Sequence, residues 1–450
     1  MTKSKIQLSD HFSYKKLISF TLSPIAMMIF TSIYGVVDGY FVSNYAGKTP
    51  FAALNLIWPL IMVMGSIGFM FGTGGSALVA KTMGEGDKKK ANSQFSLLVY
   101  ISLILSVFIA LIAFVLMRPI SVLLGAQGEL LSNCMVYGRI LCFSVPFFVL
   151  QFEFQSFFVT AEKPNLGLYM TLLCGITNMI LDWLFVAVFN YGLAGAATAT
   201  ALSQIIGGIF TLIYFSKKNG SLLKLCKTKF NSWVLSRTCT NGMSELLSNI
   251  SMSLVSMLYN AQLMKFTGED GVAAYGVLMY VNLIFLSIFI GYSIGTAPII
   301  SYNYGAGNQD ELKSLFKKSL VIIVLSSVVM LFMSLILANP LSKLFVGYDE
   351  NLLNLTQRGF FIFSFSFLFA GIPMFASAFF TALNNGIVSA IISVLRTVVF
   401  QVAFVLLLPI VLEVDGIWCS IVFAELCSLI VAAIMFVVNK NKYHYYGKEI

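Results

Sequence analysis

Charged side chains are scarce in this sequence. Asp, Glu, Lys and Arg make up only 10% of its 450 residues, whereas 58% are apolar and the mean hydropathy is +0.88. A water-soluble domain has about a quarter of its residues charged, because charge covers the surface that faces water. The scarcity therefore excludes a soluble globular protein and indicates a chain surrounded by lipid.

The residues and motifs of common catalytic sites are also missing. The two histidines, His11 and His444, lie in the terminal segments, and HExxH does not occur; a GxSxG stretch, residues 291–295, lies in an apolar run that contains no histidine. No Ser-His-Asp set or zinc-hydrolase site can therefore form within the apolar part of the chain. We expect the protein not to be an enzyme and to hold no cofactor.

A nucleotide-binding loop is missing as well. The only similar stretch, Gly47-Lys48-Thr49, lacks the glycine required five residues earlier, where Val42 stands. Without that glycine the loop does not wrap the phosphates. An ATP-driven pump is therefore not expected. The seven cysteines include no CxxC, and they are interpreted as small buried side chains in a reducing compartment.

Long apolar runs dominate what is present. A helix needs about 20 mostly apolar residues to cross the hydrocarbon, and no run shows the short alternation of barrel strands. The sequence predicts an all-α integral membrane protein with twelve transmembrane helices, near 17–42, 52–80, 93–117, 131–160, 165–189, 193–216, 236–262, 273–303, 315–338, 352–382, 386–411 and 414–438.

The chain repeats itself after 221 residues. Gly74 then falls on Gly295, and the stretch 84–87 (Gly-Glu-Gly-Asp) falls on 305–308 (Gly-Ala-Gly-Asn). Because each unit holds six helices, an even number, the halves are predicted to be parallel repeats related by an axis along the membrane normal. We predict an N-terminal bundle at 1–216, a linker at 217–235 and a C-terminal bundle at 236–450.

Lysine and arginine favour one side of the membrane. Of the 28 basic residues, 21 lie in the termini and in loops on their side, including Lys3, Lys5, Lys218 and Lys448, against six on the other side and Arg396 within a span. The positive-inside rule places both termini in the cytoplasm. The net charge of +9 is thus explained by an anionic inner leaflet, and no nucleic-acid partner is expected.

Two acids within the spans have no basic residue nearby in sequence. A charge at the centre of a span costs roughly 2.5–3.5 kcal/mol on insertion scales, yet Asp38 and Asp182 are retained. Asn178 shares a helix face with Asp182, and Ala196 shares one with Thr200. These hard oxygens suit Na⁺, or a proton that the two acids share. Two neutral acids bonded to helix backbones are the alternative.

Other polar residues within the spans allow more than one interpretation. Glu153 and Gln155 face either a cationic substrate in a cleft between the bundles or a water-filled vestibule, and Arg396 with Glu425 is interpreted as a structural ion pair. Glu245 stands where the repeat places Pro24 in the first half, so the halves differ chemically. Pro24 is expected to bend the first helix.

These residues, taken in order, resemble the MATE (multidrug and toxic compound extrusion) transporters, and most closely the bacterial DinF-like and MepA-like branch. The resemblance rests on the following: Pro24, Tyr34-x-x-x-Asp38, Gly84-Glu-Gly-Asp87, Asn178-x-x-x-Asp182, Ala196, Thr200 and the 6+6 repeat. It implies a cation site made by Asp38, Asn178, Asp182, Thr200 and the Ala196 backbone. Glu245 resembles the acid of the NorM branch and leaves the coupling site open.

The expected function is secondary-active multidrug efflux, in which cationic amphipathic compounds exchange against H⁺ or Na⁺ by alternating access. Candidate residues of the substrate cavity are Tyr34, Glu153, Gln155 and Glu245. A lipid-linked saccharide flippase is the alternative, although only Arg139 and Arg396 could bind its pyrophosphate. We expect a monomer in a bacterial-type plasma membrane, with lipids around it.

Overall fold

The computed structural model describes residues 6–217, 219–347 and 349–446, and these are almost entirely helical. The helices are α1 Tyr14–Phe41, α2 Lys48–Gly84, α3 Lys88–Leu123, α4 Gly128–Thr160, α5 Pro164–Asp182, α6 Gly192–Ser216, α7 Ser232–Thr267, α8 Glu269–Gly305, α9 Gln309–Val346, α10 Glu350–Ser364, α11 Ser366–Ala382, α12 Gly386–Val394, α13 Gln401–Leu407 and α14 Pro409–Tyr443. Short π-helical segments follow α1, α5 and α12, at Val42–Ala46, Trp183–Val188 and Leu395–Phe400.

These helices form twelve spans. Within the described ranges, ten stretches are long and apolar enough to cross a membrane, and α10 with α11, bent by 46°, makes an eleventh. The twelfth span is α7, whose 36 residues include many Ser and Asn side chains and are less apolar than the others. The predicted all-α fold of twelve spans is confirmed. Lys3, Lys5, Lys218 and Lys448, used to predict orientation, lie outside the described residues.

The predicted repeat is visible in the turns that follow α2 and α8. Gly86 and Gly307 both have left-handed backbone conformations, with φ of 89° and 69°. The next residue caps the following helix in each half: Asp87 accepts a hydrogen bond from the Lys90 amide, and Asn308 accepts one from the Glu311 amide. The same local geometry therefore recurs with the 221-residue spacing.

One end of the molecule, where α1 begins and α14 ends, is called the termini face. There α2 and α7 meet at backbone distance: a Cβ added to Gly74 would lie 2.3 Å from the Thr238 carbonyl oxygen, and one on Gly242 would lie 2.0 Å from that of Met70. These two positions have no room for a side chain larger than the hydrogen of glycine. The two bundles are thus tightly closed against each other at this face.

Toward the opposite face the bundles separate. Helices α1 and α8 are still joined near their middles, where the hydroxyls of Ser32 and Ser287 lie 2.6 Å apart. Farther along, a Cβ on Gly35 or on Gly276 would have no atom within 4 Å. The cleft between the bundles therefore opens on the face away from the termini.

A segment before α1, which we call the N-terminal strap (residues 6–13), crosses the closed face. The Leu8 amide donates to Glu162 of the N-terminal bundle at 2.8 Å, and the Phe12 amide donates to Glu311 of the C-terminal bundle at 2.9 Å. Leu8 and Phe12 are fully buried. The strap therefore ties the two bundles together at the termini face.

The chain between the bundles is held along α3. The amides of Lys224 and Cys226 donate to Asn92 Oδ1 at 2.7 Å and to Ser96 Oγ at 2.8 Å, and the hydroxyls of Ser93 and Thr228 lie 2.7 Å apart. Helix α7 begins at Ser232, capped by Asn231, so the last residues of the predicted linker 217–235 are helical.

Candidate functional site

Three helices of the N-terminal bundle bring the predicted polar residues together. Asp38 lies near the end of α1, Asn178 and Asp182 form the last turn of α5, and Thr200 lies on α6. The Asp38 carboxyl group lies near that of Asp182 and near the Thr200 hydroxyl. Asn178 Nδ2 donates to Thr200 Oγ1 at 3.3 Å. Ala196, fully buried, lies one turn before Thr200.

The oxygens of this cluster lack donors. Asp182 is fully buried and Asp38 is 7% exposed, and Asp38 Oδ1, Asn178 Oδ1 and both Asp182 carboxyl oxygens have no hydrogen-bond donor among the described residues. Buried acceptors of this kind normally have a partner. A proton between the carboxyl groups, or a cation among the four oxygens, would supply it. The cluster is suited to bind either one.

Tyrosine hydroxyls flank the two acids. Tyr137 on α4, which the sequence analysis did not select, is fully buried and near enough to both Asp38 and Asp182 to interact with them electrostatically. Its hydroxyl has no partner within the described part of the chain. Tyr34 lies beside Asp38 and Gln151. Since Tyr137 belongs to another helix and to no polar motif, nothing in the local sequence distinguished it.

The structure places Glu153 and Gln155 inside the N-terminal bundle. Glu153 is fully buried, accepts a hydrogen bond from the Ser102 hydroxyl of α3 and packs against the backbone beside Gly72 of α2. Gln155 is 3% exposed and lines a narrow internal cavity with Gln151 and Thr171. In this conformation neither side chain lies on the open cleft.

The C-terminal bundle contains a cluster in which the acidic side chains, unlike Asp38 and Asp182, have a basic partner. Arg396 binds Glu425 through its Nε and Nη2 atoms at 2.8–3.0 Å, so the predicted ion pair is confirmed. Glu245 on α7 is half-buried and near enough to Arg396 to be attracted by it. The arginine thus partly neutralises two carboxylates, and no comparable base accompanies Asp38 and Asp182 in the ion pairs of the described residues.

Helix α1 is continuous through Pro24 in this conformation. The Pro24 carbonyl and the Ile25 backbone pack against Gly291 of α8, where a Cβ would lie 2.4 Å from Ile25 Cα. Because proline removes one helical hydrogen bond, the weakest turn of α1 lies at the contact between the bundles, some fourteen residues before Asp38.

Two like-sized bundles, closed at one face and open at the other, with paired acids in one of them, match a known family of carriers. The family model named MatE matches the chain twice, over residues 24–184 and 246–407, once in each half. The chain belongs to the MATE family.

Curated MATE relatives cover nearly the whole chain. It is 24% identical over 440 residues to the multidrug export protein MepA of Staphylococcus saprophyticus, covering 95% of this chain and 94% of the relative. With the protein of the same name from Staphylococcus haemolyticus, it shares 27% identity over 395 residues, 87% of each chain.

A solved MATE structure has the same fold. The outward-facing conformation of a multidrug resistance MATE family transporter of the MOP superfamily superposes with a TM-score of 0.92 at 22% identity, over 99% of this chain and 100% of that one. The architecture of two six-helix bundles therefore matches an experimentally observed MATE fold.

Proposed function

We propose that this MATE protein exports organic, cationic compounds in exchange for H⁺ or Na⁺, and that Asp38 and Asp182 couple the two movements. The observation that carries the proposal is the buried pair of carboxyl groups whose oxygens lack donors and counterions within the described chain. The exporters named MepA, which match nearly the full length, support the assignment to drug efflux.

The mechanism follows from the geometry of the two bundles. With the termini face closed by the α2–α7 contact, the cleft loads or releases ligands at the opposite face. An ion that enters from that side reaches Asp38 near the outer end of α1 and relieves the unpaired oxygens. Rocking of the bundles would then carry the occupied site to the other side, so alternating access couples ion entry to substrate export.

The orientation and assembly are part of the proposal. Both termini are placed in the cytoplasm of a bacterial plasma membrane, because most basic residues lie on their side, and the closed face is then the cytoplasmic one. We expect a monomer surrounded by lipid. Attaching a reporter that is active only in the cytoplasm to the C-terminus tests the orientation, and an inactive reporter would contradict it.

The positions of the two arginines argue against the flippase alternative. Arg396 binds Glu425 through Nε and Nη2 and lies near Glu245, and Arg139 is exposed on α4 with its guanidinium 5.2 Å from the centre of the Phe114 ring. Neither presents a free cation to a pyrophosphate within the cleft.

The deciding experiment measures export of a cationic dye from proteoliposomes under a H⁺ or a Na⁺ gradient, imposed one at a time. Asp38→Asn and Asp182→Asn should each abolish gradient-driven export, because Asn keeps the size of Asp but neither binds a proton nor carries the charge that holds a cation. One charge crossing about 100 mV supplies roughly 2.3 kcal/mol, a concentration ratio near fifty-fold, and the uncoupled carrier loses it.

Glu153→Gln is the matched control, since it also removes one buried carboxyl group from the N-terminal bundle but lies outside the acid pair. It should keep gradient-driven export. Wild-type rates in both Asp variants, with normal folding and insertion, would show that these acids are structural and would direct attention to Glu245.

A further inference from the structure

A separate cavity lies on the termini face, far from the acid pair. It has a volume of about 740 Å³ and is enclosed by the first turns of α3, the end of the linker and the first turn of α7. Its walls therefore belong to both bundles. Its lining residues are Lys90, Ser93, Gln94, Leu97, Lys227, Thr228, Lys229, Phe230, Asn231, Trp233 and Val234.

The charge of the cavity is of one sign. Lys90, Lys227 and Lys229 line it together with no acidic side chain, and none of the three forms an ion pair within the described ranges. The N-terminus of α7, capped by the neutral Asn231, lies here as well and adds partial positive charge, whereas that of α3 is capped by the Asp87 carboxylate. Such a field repels the cationic compounds proposed as substrates and attracts an anion.

A buried amide without a hydrogen-bond partner indicates that the cavity binds a polar ligand. Gln94 lines the cavity and is only 3% exposed, yet neither its Nε2 nor its Oε1 atom has a hydrogen-bond partner in the described structure. Buried amides are normally hydrogen-bonded. The hydroxyls of Ser93 and Thr228, 2.7 Å apart in the same wall, bond each other, and Thr228 also donates to the Ser93 carbonyl, so neither can supply the missing partner of Gln94. The cavity thus combines three lysine side chains with one buried amide that has no partner.

The rim of the cavity is apolar. Phe230 and Trp233 are 71% and 58% exposed, and both stand where the chain enters the membrane at α7. Aromatic residues of this kind lie at the level of lipid headgroups. A ligand that fits has a phosphate for the lysines and an apolar part for the aromatic rim.

We propose that the cavity binds the phosphate headgroup of an anionic phospholipid, whose acyl chains leave past Phe230 and Trp233. Lys90, Lys227 and Lys229 contact the phosphate, and Gln94 bonds the polar headgroup. Because α3 belongs to one bundle and α7 to the other, the bound lipid joins both bundles at the closed face. Its occupancy then depends on how far apart they are.

The test measures lipid binding to the purified full-length protein by native mass spectrometry. Phosphatidylglycerol should bind at one tight site, and phosphatidylcholine should bind far more weakly. The double variant Lys227→Gln/Lys229→Gln should bind phosphatidylglycerol about 25-fold more weakly, at roughly fivefold for each lysine. Lys88→Gln/Lys89→Gln is the matched control, because it removes two charges from the first turn of α3 but outside the cavity, and it should bind as the wild type does.

Gln94→Leu gives a second readout that leaves the charge unchanged. It should weaken phosphatidylglycerol binding by roughly tenfold, because a charged acceptor loses its buried donor. Equal losses in the control double variant would overturn the proposal in favour of diffuse surface charge. Equal binding of both lipids, or displacement of phosphatidylglycerol by millimolar inorganic phosphate, would overturn the assignment of the site to a lipid headgroup.

Discussion

Thr200 occupies a place beside the acid pair that its neighbour Thr198 does not share. Thr200 accepts the Asn178 amide and lies next to Asp38, whereas the Thr198 hydroxyl donates to the Ala194 carbonyl of its own helix at 2.7 Å. The two threonines thus allow a matched comparison on one helix.

Thr200→Ala should lower ion-driven export about fivefold at limiting gradient, because one hydrogen-bonding oxygen leaves the cluster. Thr198→Ala should stay within about twofold of the wild type. The measurement is the initial export rate against ion concentration in proteoliposomes, where the loss should appear as a weaker apparent ion affinity. Equal effects of both variants would mean that the hydroxyls act only on the packing of α6.

The members of this cluster could be predicted from the sequence because two acids lack a basic residue nearby and because helical spacing places their polar neighbours on the same faces. Asp38 and Asp182 stood out because nothing nearby neutralises them, and their meeting across α1 and α5 is a tertiary fact. Tyr137 was missed because a single tyrosine in an apolar helix has no distinguishing pattern. The inward burial of Glu153 depends on Ser102 and on the close approach of α2, which no local pattern encodes.

Among the helices, glycine contacts make the clearest prediction. Gly74→Ala should lower the unfolding midpoint of the purified protein and slow export, because its methyl group would press on the Thr238 carbonyl and overpacking costs about 1–3 kcal/mol. Gly35→Ala on α1 is the control, since its methyl group would meet no atom within 4 Å.

The control substitution should change the unfolding temperature in the opposite direction, if at all. Alanine favours a helix over glycine by about 1 kcal/mol, so Gly35→Ala should unfold at the same temperature as the wild type or higher. Thermal unfolding in detergent, followed by tryptophan fluorescence, measures both. A Gly74→Ala protein as stable and active as Gly35→Ala would show that α2 and α7 can move apart enough to accommodate a methyl group at little cost.

Helix number followed directly from apolar length, whereas helix shape did not. The predicted boundary between 411 and 414 coincides with Glu413, whose φ of 51° and ψ of −128° break α14. The 46° bend between α10 and α11 was not predicted, because no proline or glycine marks Phe365. The helices also extend beyond the predicted spans: α2 has 37 residues, roughly 55 Å, against about 30 Å of hydrocarbon.

Taken as a whole, the molecule is closed at the termini face partly by its own first residues. Glu311 receives both the Phe12 amide and the His11 ring, whose Nδ1 lies 2.5 Å from Oε2. Glu311→Ala should therefore release the N-terminal strap and raise the population of the conformation open at that face. Asp310→Ala, in the same turn of α9 and 93% exposed, is the control.

Hydrogen exchange measured by mass spectrometry provides the test. The amides of residues 6–13 should lose protection in Glu311→Ala and keep it in Asp310→Ala, because local opening exposes them to solvent. Unchanged protection in both variants would show that the strap is held without Glu311, by the burial of Leu8 and Phe12 and by the hydrogen bond from Leu8 to Glu162.

The strap also orders events during synthesis. Phe12 and His11 emerge about 300 residues before Glu311, their partner on α9. At roughly 5–20 residues per second, the strap waits about 15–60 s before that helix exists. Throughout this interval the Phe12 amide and the His11 ring lack the carboxylate that later binds them. The first part of the chain to be made is thus among the last to reach its final place.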